Sequence, residues 1–218
     1  MRREAVRATR KKIGDVIEKN KKKMLSAFGL SNIFESTSLG ASALSTSIAN
    51  AVIGSRRDVA HTRFAEAKTS LGLFDREVRL VEGFSAEFRL SKEVSDSFSS
   101  DKWPTKAEAR TKVLEAVRFN LRELKAHMKR NGLGTRMEKD PELFRKYVKA
   151  TAIGFQARYE SFDAVLKKMP YEDYAGLRAA AEGDADLQTF LDEVRRLPVI
   201  TVNKDALAQQ VRRLFSEA

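Results

Sequence analysis

The chain has 218 residues, with 41 Lys or Arg against 30 Asp or Glu, a net charge of +11. That length suits one large or two small domains and buries a core without staples. A composition of 42% apolar and 33% charged residues excludes a disordered tail and a multispan membrane protein. The lack of cysteine excludes disulfides, thiolate metal sites and a cysteine nucleophile, and two histidines, His61 and His127, leave little for a metal centre or a triad.

Residues 1–28 hold ten cations against Glu4, Asp15 and Glu18, a net +7. Val6, Ile13, Val16, Ile17, Met24, Leu25 and Phe28 recur near three- and four-residue spacing, which predicts an amphipathic helix of about 25 residues. Its cations Arg7, Arg10, Lys11, Lys12, Lys21, Lys22 and Lys23 are candidate contacts to an anionic partner. The segment lacks the apolar centre of a signal peptide, and its three acids argue against a mitochondrial presequence, so it reads as mature structure.

From Ser36 to Ser55 twenty residues carry no charge, and eight of them are Ser or Thr. Twenty is the length of a membrane span, but only Leu39, Leu44, Ile48, Val52 and Ile53 are large aliphatics. Small residues such as Ala41, Ser45 and Ala49 let helix backbones approach closely. Ala41, Leu44, Ser45, Ile48, Ala49 and Val52 are therefore the candidate helix-packing and assembly positions.

Residues 57–90 return to helical periodicity through Phe64, Ala67, Leu71, Phe74, Val78 and Val81, with Gly72 and Gly83 as places for a kink. The Ser-rich stretch 91–102 reads as a loop. Trp103–Pro104 is the expected domain boundary, giving an N-terminal domain of 1–102 and a helical C-terminal domain of 103–218.

Thr105 with Glu108 has the form of a capping box. Val113, Val117, Leu121, Leu124 and Met128 then make an apolar stripe, which Asn131–Gly132 ends. Arg118, Arg122, Lys125 and Lys129 each follow a core position by one residue and form a second stripe, whose stems lie on the protein and whose charged heads offer an anionic-partner surface. Across 105–136 nine cations face three carboxylates, a net +6, so the rest of the chain is close to neutral.

Asp140–Pro141–Glu142 signals the start of a helix through Val148, Ala152, Phe155, Tyr159, Phe162, Leu166 and Met169, with Pro170 as its end. Glu160 and Asp163, between Arg158 and Lys167, read as members of solvated ion pairs. Residues 172–181 and 186–196 read as helices separated by Gly183. Pro198 to Val202 is extended, and Asn203 caps a last helix bearing Leu207, Val211 and Leu214. The fold class is mainly α, a multi-helix protein with long amphipathic helices and at most one short extended segment near 198–202.

No P-loop, dinucleotide fingerprint, zincin helix or nucleophile elbow is present. Asp184 and Asp186 hint at a calcium loop, yet the glycine that such a loop needs is Thr189, so they read as a helix start. The expected function is that of a non-enzymatic structural protein without cofactors, in character like an internal, ejection or connector component of a phage virion. It would associate with copies of itself and touch nucleic acid or an anionic membrane surface through its basic zones, in a virion or the cytoplasm. The alternative is a nucleoprotein led by backbone phosphates, because only Phe28 and Phe119 interleave with the cations. A weaker alternative is a peripheral membrane protein docked through residues 1–28.

Overall fold

The computed structural model describes residues 41–98, 103–201 and Gln209. The expected cationic helix of residues 1–28, the start of the uncharged run and the expected helix after Asn203 lie outside the described residues. Two compact units divide the chain, one spanning Arg57–Ile200 and the other taking Met1–Arg56 with Thr201–Ala218. The described residues are mainly α-helical and contain no strand, and Pro198–Thr201 is non-helical chain.

The helices are α1 (Ala41–Leu71), α2 (Asp75–Glu87), α3 (Lys92–Asp96), α4 (Ala107–Met128), α5 (Gly134–Lys139), α6 (Pro141–Arg158), α7 (Glu160–Lys168), α8 (Tyr171–Ala180) and α9 (Ala185–Arg196), with a π turn at Lys129–Leu133. Several boundaries follow local chemistry. Gly72 takes φ +63° and closes α1, a conformation that costs glycine nothing. The Glu77 carboxylate then reaches back to accept the Phe74 amide at 2.8 Å and starts α2. Asp140 accepts the Glu142 amide at 3.1 Å ahead of Pro141, as the sequence predicts. Asp184 accepts the Leu187 amide at 3.0 Å and starts α9 after Gly183 at φ +81°.

The core of the 57–200 unit forms around α6, which packs on both α2 and α9. Val148, Ala152 and Phe155 of α6 are fully buried, as are Val113, Val117 and Leu124 of α4. Phe155 gathers Phe88, Phe162 and Phe190 around it with ring centroids 5.0–5.1 Å away. Gly154 makes the α2–α6 approach close, since a Cβ there would stand 2.3 Å from the Cβ of Ser85.

Five expectations need correction. From Ala41 the uncharged run and the charged segment after it are one helix, because Arg56 and Arg57 stand inside α1 without interrupting it. Gly83 does not break α2, whereas Gly72 does separate it from α1. The stretch 91–102 is not all loop, because Ser91 accepts the Val94 amide and caps α3. Thr105 is not the cap of α4; the helix starts at Ala107, its N-cap Lys106 supplies no side-chain bond, and the Thr105 carbonyl accepts from Arg110.

The fifth correction concerns the long helix expected from Pro141 to Met169, which breaks at Tyr159 (φ −114°, ψ 68°) into α6 and α7. The Tyr159 hydroxyl donates to the Phe88 carbonyl at 3.0 Å and accepts the Leu90 amide at 2.9 Å. Between these two, Asn120 accepts the Arg89 amide at 3.1 Å and donates to the Arg89 carbonyl at 2.9 Å. Two side chains thus satisfy the backbone of the corner that leaves α2. Trp103, at the expected domain boundary, lies within the 57–200 unit and packs its indole on Phe98 and Phe162.

Candidate anion-contact stripe and assembly helix

Helix α4 presents its apolar stripe to the core and its cations beside it. Leu121 and Leu124 are buried, and Arg122, Lys125 and Lys129 are exposed. The four stripe cations do not share one role. Arg118 donates from Nε to Asp184 at 2.8 Å, the same carboxylate that caps α9. Lys125 stands 5.0 Å from the ring centroid of Phe144 on α6. Lys125 also faces Asp186, whose carboxyl burial holds above the usual range while Lys125 opposes that rise. Arg118 and Lys125 therefore tie α4 to the starts of α9 and α6. Arg122 and Lys129 have no ion-pair partner among the described residues, and they are the part of the stripe open to an external anion.

Arg7, Arg10, Lys11, Lys12, Lys21, Lys22 and Lys23 lie outside the described residues. Ala41, Leu44, Ser45, Ile48, Ala49 and Val52 all fall on α1, and Val52 is half-buried. Ile53, which follows Val52, keeps 49% of its surface exposed.

The buried charges of the 57–200 unit are structural in their geometry. Glu77 is 1% exposed and accepts from the Tyr147 hydroxyl at 2.7 Å and from Arg136, besides the Phe74 amide. Burial, with the Glu77 hydrogen bond second, pushes the Tyr147 hydroxyl far above its ordinary value, so it stays a proton donor at any neutral pH. Asp163, expected in solvent, is instead buried and paired with Lys167 one helical turn on. Glu193 is buried and paired with Arg196 at 2.6 Å. Sequence reasoning misses the burial of all three acids, and Glu77 is the most deeply buried of them. The one local signal of Glu77 is the three-residue step from Phe74, since Tyr147 and Arg136 reach it only through folding.

The histidines gain neighbours that the sequence does not reveal. His61 on α1 meets Glu82 on α2 at 3.0 Å, and this carboxylate raises the imidazole pKa above its ordinary value. The His127 ring lies 5.5 Å from that of Phe84. Among the described residues, no cluster of three or more metal-ligating side chains occurs, and no helix is long and apolar enough to cross a membrane. No family model, characterised protein or solved structure matches the chain.

Proposed function

We propose that the chain is a non-enzymatic structural protein of the assembly type, a virion component that joins copies of itself through helices and meets nucleic acid or a membrane through its basic zones. The observation that carries this reading is α1, one unbroken helix of 31 residues whose part before Arg56 has no charge. The half beyond Arg57 inserts Ala60, Phe64 and Ala67 into a core, and the first half is composed of small, hydroxyl-bearing and aliphatic residues without charge. An uncharged helix face associates without stripping water from an ion. The engagement of Glu77, Asp163 and Glu193 by partners within their own unit supports a structural rather than a catalytic use of these acids.

The test is mass in solution as a function of concentration, by sedimentation or light scattering. Multimers are expected, and Ala49→Glu should return the chain to monomer while the melt of the 57–200 unit is unchanged. A wild type that stays monomeric at every concentration overturns the reading.

The nucleoprotein reading draws on Arg122 and Lys129, exposed and unpaired by carboxylates among the described residues. Phosphate contacts give affinity that falls with salt, each contact adding to the slope. The double variant Arg122→Glu and Lys129→Glu should lower the salt dependence of binding to single-stranded nucleic acid. Exposed charges contribute little to stability, so its melting point should stay near wild type. Binding that is salt-independent in both proteins overturns this reading.

A further inference from the structure

Helices α4 and α8 leave between them an open groove of about 610 Å³. Its floor is apolar, from the buried Leu114, Met169 and Leu177. Ala107 and Thr111 stand four residues apart on α4, and Gly176 and Ala180 stand four apart on α8. A side chain grown from Gly176 would meet nothing within 4 Å. Small residues at four-residue spacing on two walls make a trough into which the ridge of a third helix fits.

The charges at the rim define what that helix carries. Arg110 on the α4 wall offers donors, while Glu172 and Asp173 on the α8 wall offer acceptors. Neither acid has an ion-pair partner among the described residues. An occupant carrying charge of one sign would suit one wall and oppose the other. A neutral occupant rich in hydroxyls suits both, because each hydroxyl donates and accepts. The uncharged part of α1 has this chemistry, with five Ser or Thr between Ala41 and Ser55. Ala41, Ser45, Ala49 and Ile53 follow one another at four-residue steps along it, and Ile53 is an exposed aliphatic suited to the apolar floor.

We infer that the α4–α8 groove is the seat for the uncharged half of α1 from a second copy of this chain. The inference rests on the self-association proposed above and names its contact. Helix and groove are different surfaces, so seating in one direction is heterologous and builds a ring or a filament.

The chain has no cysteine of its own, which makes crosslinking specific. The full chain carrying Ala49→Cys and Gly176→Cys should, on mild oxidation, give a ladder of covalent multimers that reductant collapses. Either single variant should give at most a dimer. A bond formed only within one chain, or none while scattering still reports multimers, overturns the proposal and leaves self-association standing. Gly176→Leu is the second arm: it fills the groove from a position where the fold has room. It should keep the wild-type circular dichroism melt and raise the self-association constant for dissociation by about tenfold or more. Unchanged association of Gly176→Leu overturns the groove as the contact. A wild type that is monomeric throughout overturns the self-association reading itself.

Discussion

The two halves of α1 are continuous in backbone and opposite in what holds them. From Arg57 to Leu71 the helix is charged, and Ala60, Phe64 and Ala67 sink into a core at 3–7% exposure. From Ala41 to Ser55 it carries no charge, and Ile53 near its end remains half exposed. Ordering a residue in a helix costs about 1–2 kcal/mol of chain entropy. The second half offsets that cost by burying aromatic and aliphatic surface within its own unit. The first half has little large apolar surface to bury, so its stability depends on what it meets. Helix continuity is therefore no guide to where a domain's stability resides.

The comparison can be broken from its strong end. Leu121→Asp puts a carboxylate at a position 3% exposed, with a penalty of several kcal/mol that exceeds what a marginal domain tolerates. The variant should show no cooperative melt, and a soluble, cooperatively melting protein would refute the assigned core face of α4. Phe64→Ala and Ile53→Ala set the halves of α1 against each other directly. The first should cost about 3–5 kcal/mol in chemical denaturation, and the second less than about 1 kcal/mol. Equal losses would erase the distinction between the halves.

Gly154→Ala probes how tightly the anchored half is held. Its Cβ would stand 2.3 Å from the Cβ of Ser85 and 3.5 Å from the Phe64 ring. Overpacking of this kind costs about 1–3 kcal/mol, and Ser85→Gly in the same chain should recover most of it. Failure of that rescue would mean that the closeness of α2 to α6 is not what the glycine serves.

The smallest effect concerns His61, which ties the anchored half of α1 to Glu82. The hydrogen bond and charge of Glu82 raise the folded-state pKa above the ordinary value near 6.5. Protonated His61 thus favours the fold, fully below pH 6.5, and the contribution disappears as pH rises through the folded pKa. An NMR titration of His61 should give a midpoint above that of an unstructured peptide, and Glu82→Gln should bring it back. Identical midpoints in the two proteins would remove the contact from solution.

Much of the 57–200 unit is legible in the sequence. The buried positions of α4 follow from the steps between Val113 and Met128, and Asp140–Pro141, Gly132 and Gly183 mark ends where side-chain chemistry and φ leave few options. What escapes sequence reading depends on residues far along the chain. The break at Tyr159 needs a corner 70 residues earlier, and the burial of Asp163 depends on where its helix face lands. The stripe of cations is visible in the sequence. Its division into Arg118 and Lys125, which tie helices together, and Arg122 and Lys129, which face outward, needs α6 and α9 in place.

The corner at Phe88–Leu90 has a consequence for how the molecule opens. The amides of Arg89 and Leu90 belong to no helix, yet Asn120 and Tyr159 accept both. Fraying of α2 from its end releases them only if the bonds to Asn120 on α4 and to Tyr159 at the α6–α7 junction break as well. Proton exchange at these amides thus requires the corner to part from α4 and from the α6–α7 junction, beyond the fraying of one helix end. Residues that look like a surface turn should exchange more slowly than an unbonded turn, and a protease that cuts exposed turns should find this one a poor substrate.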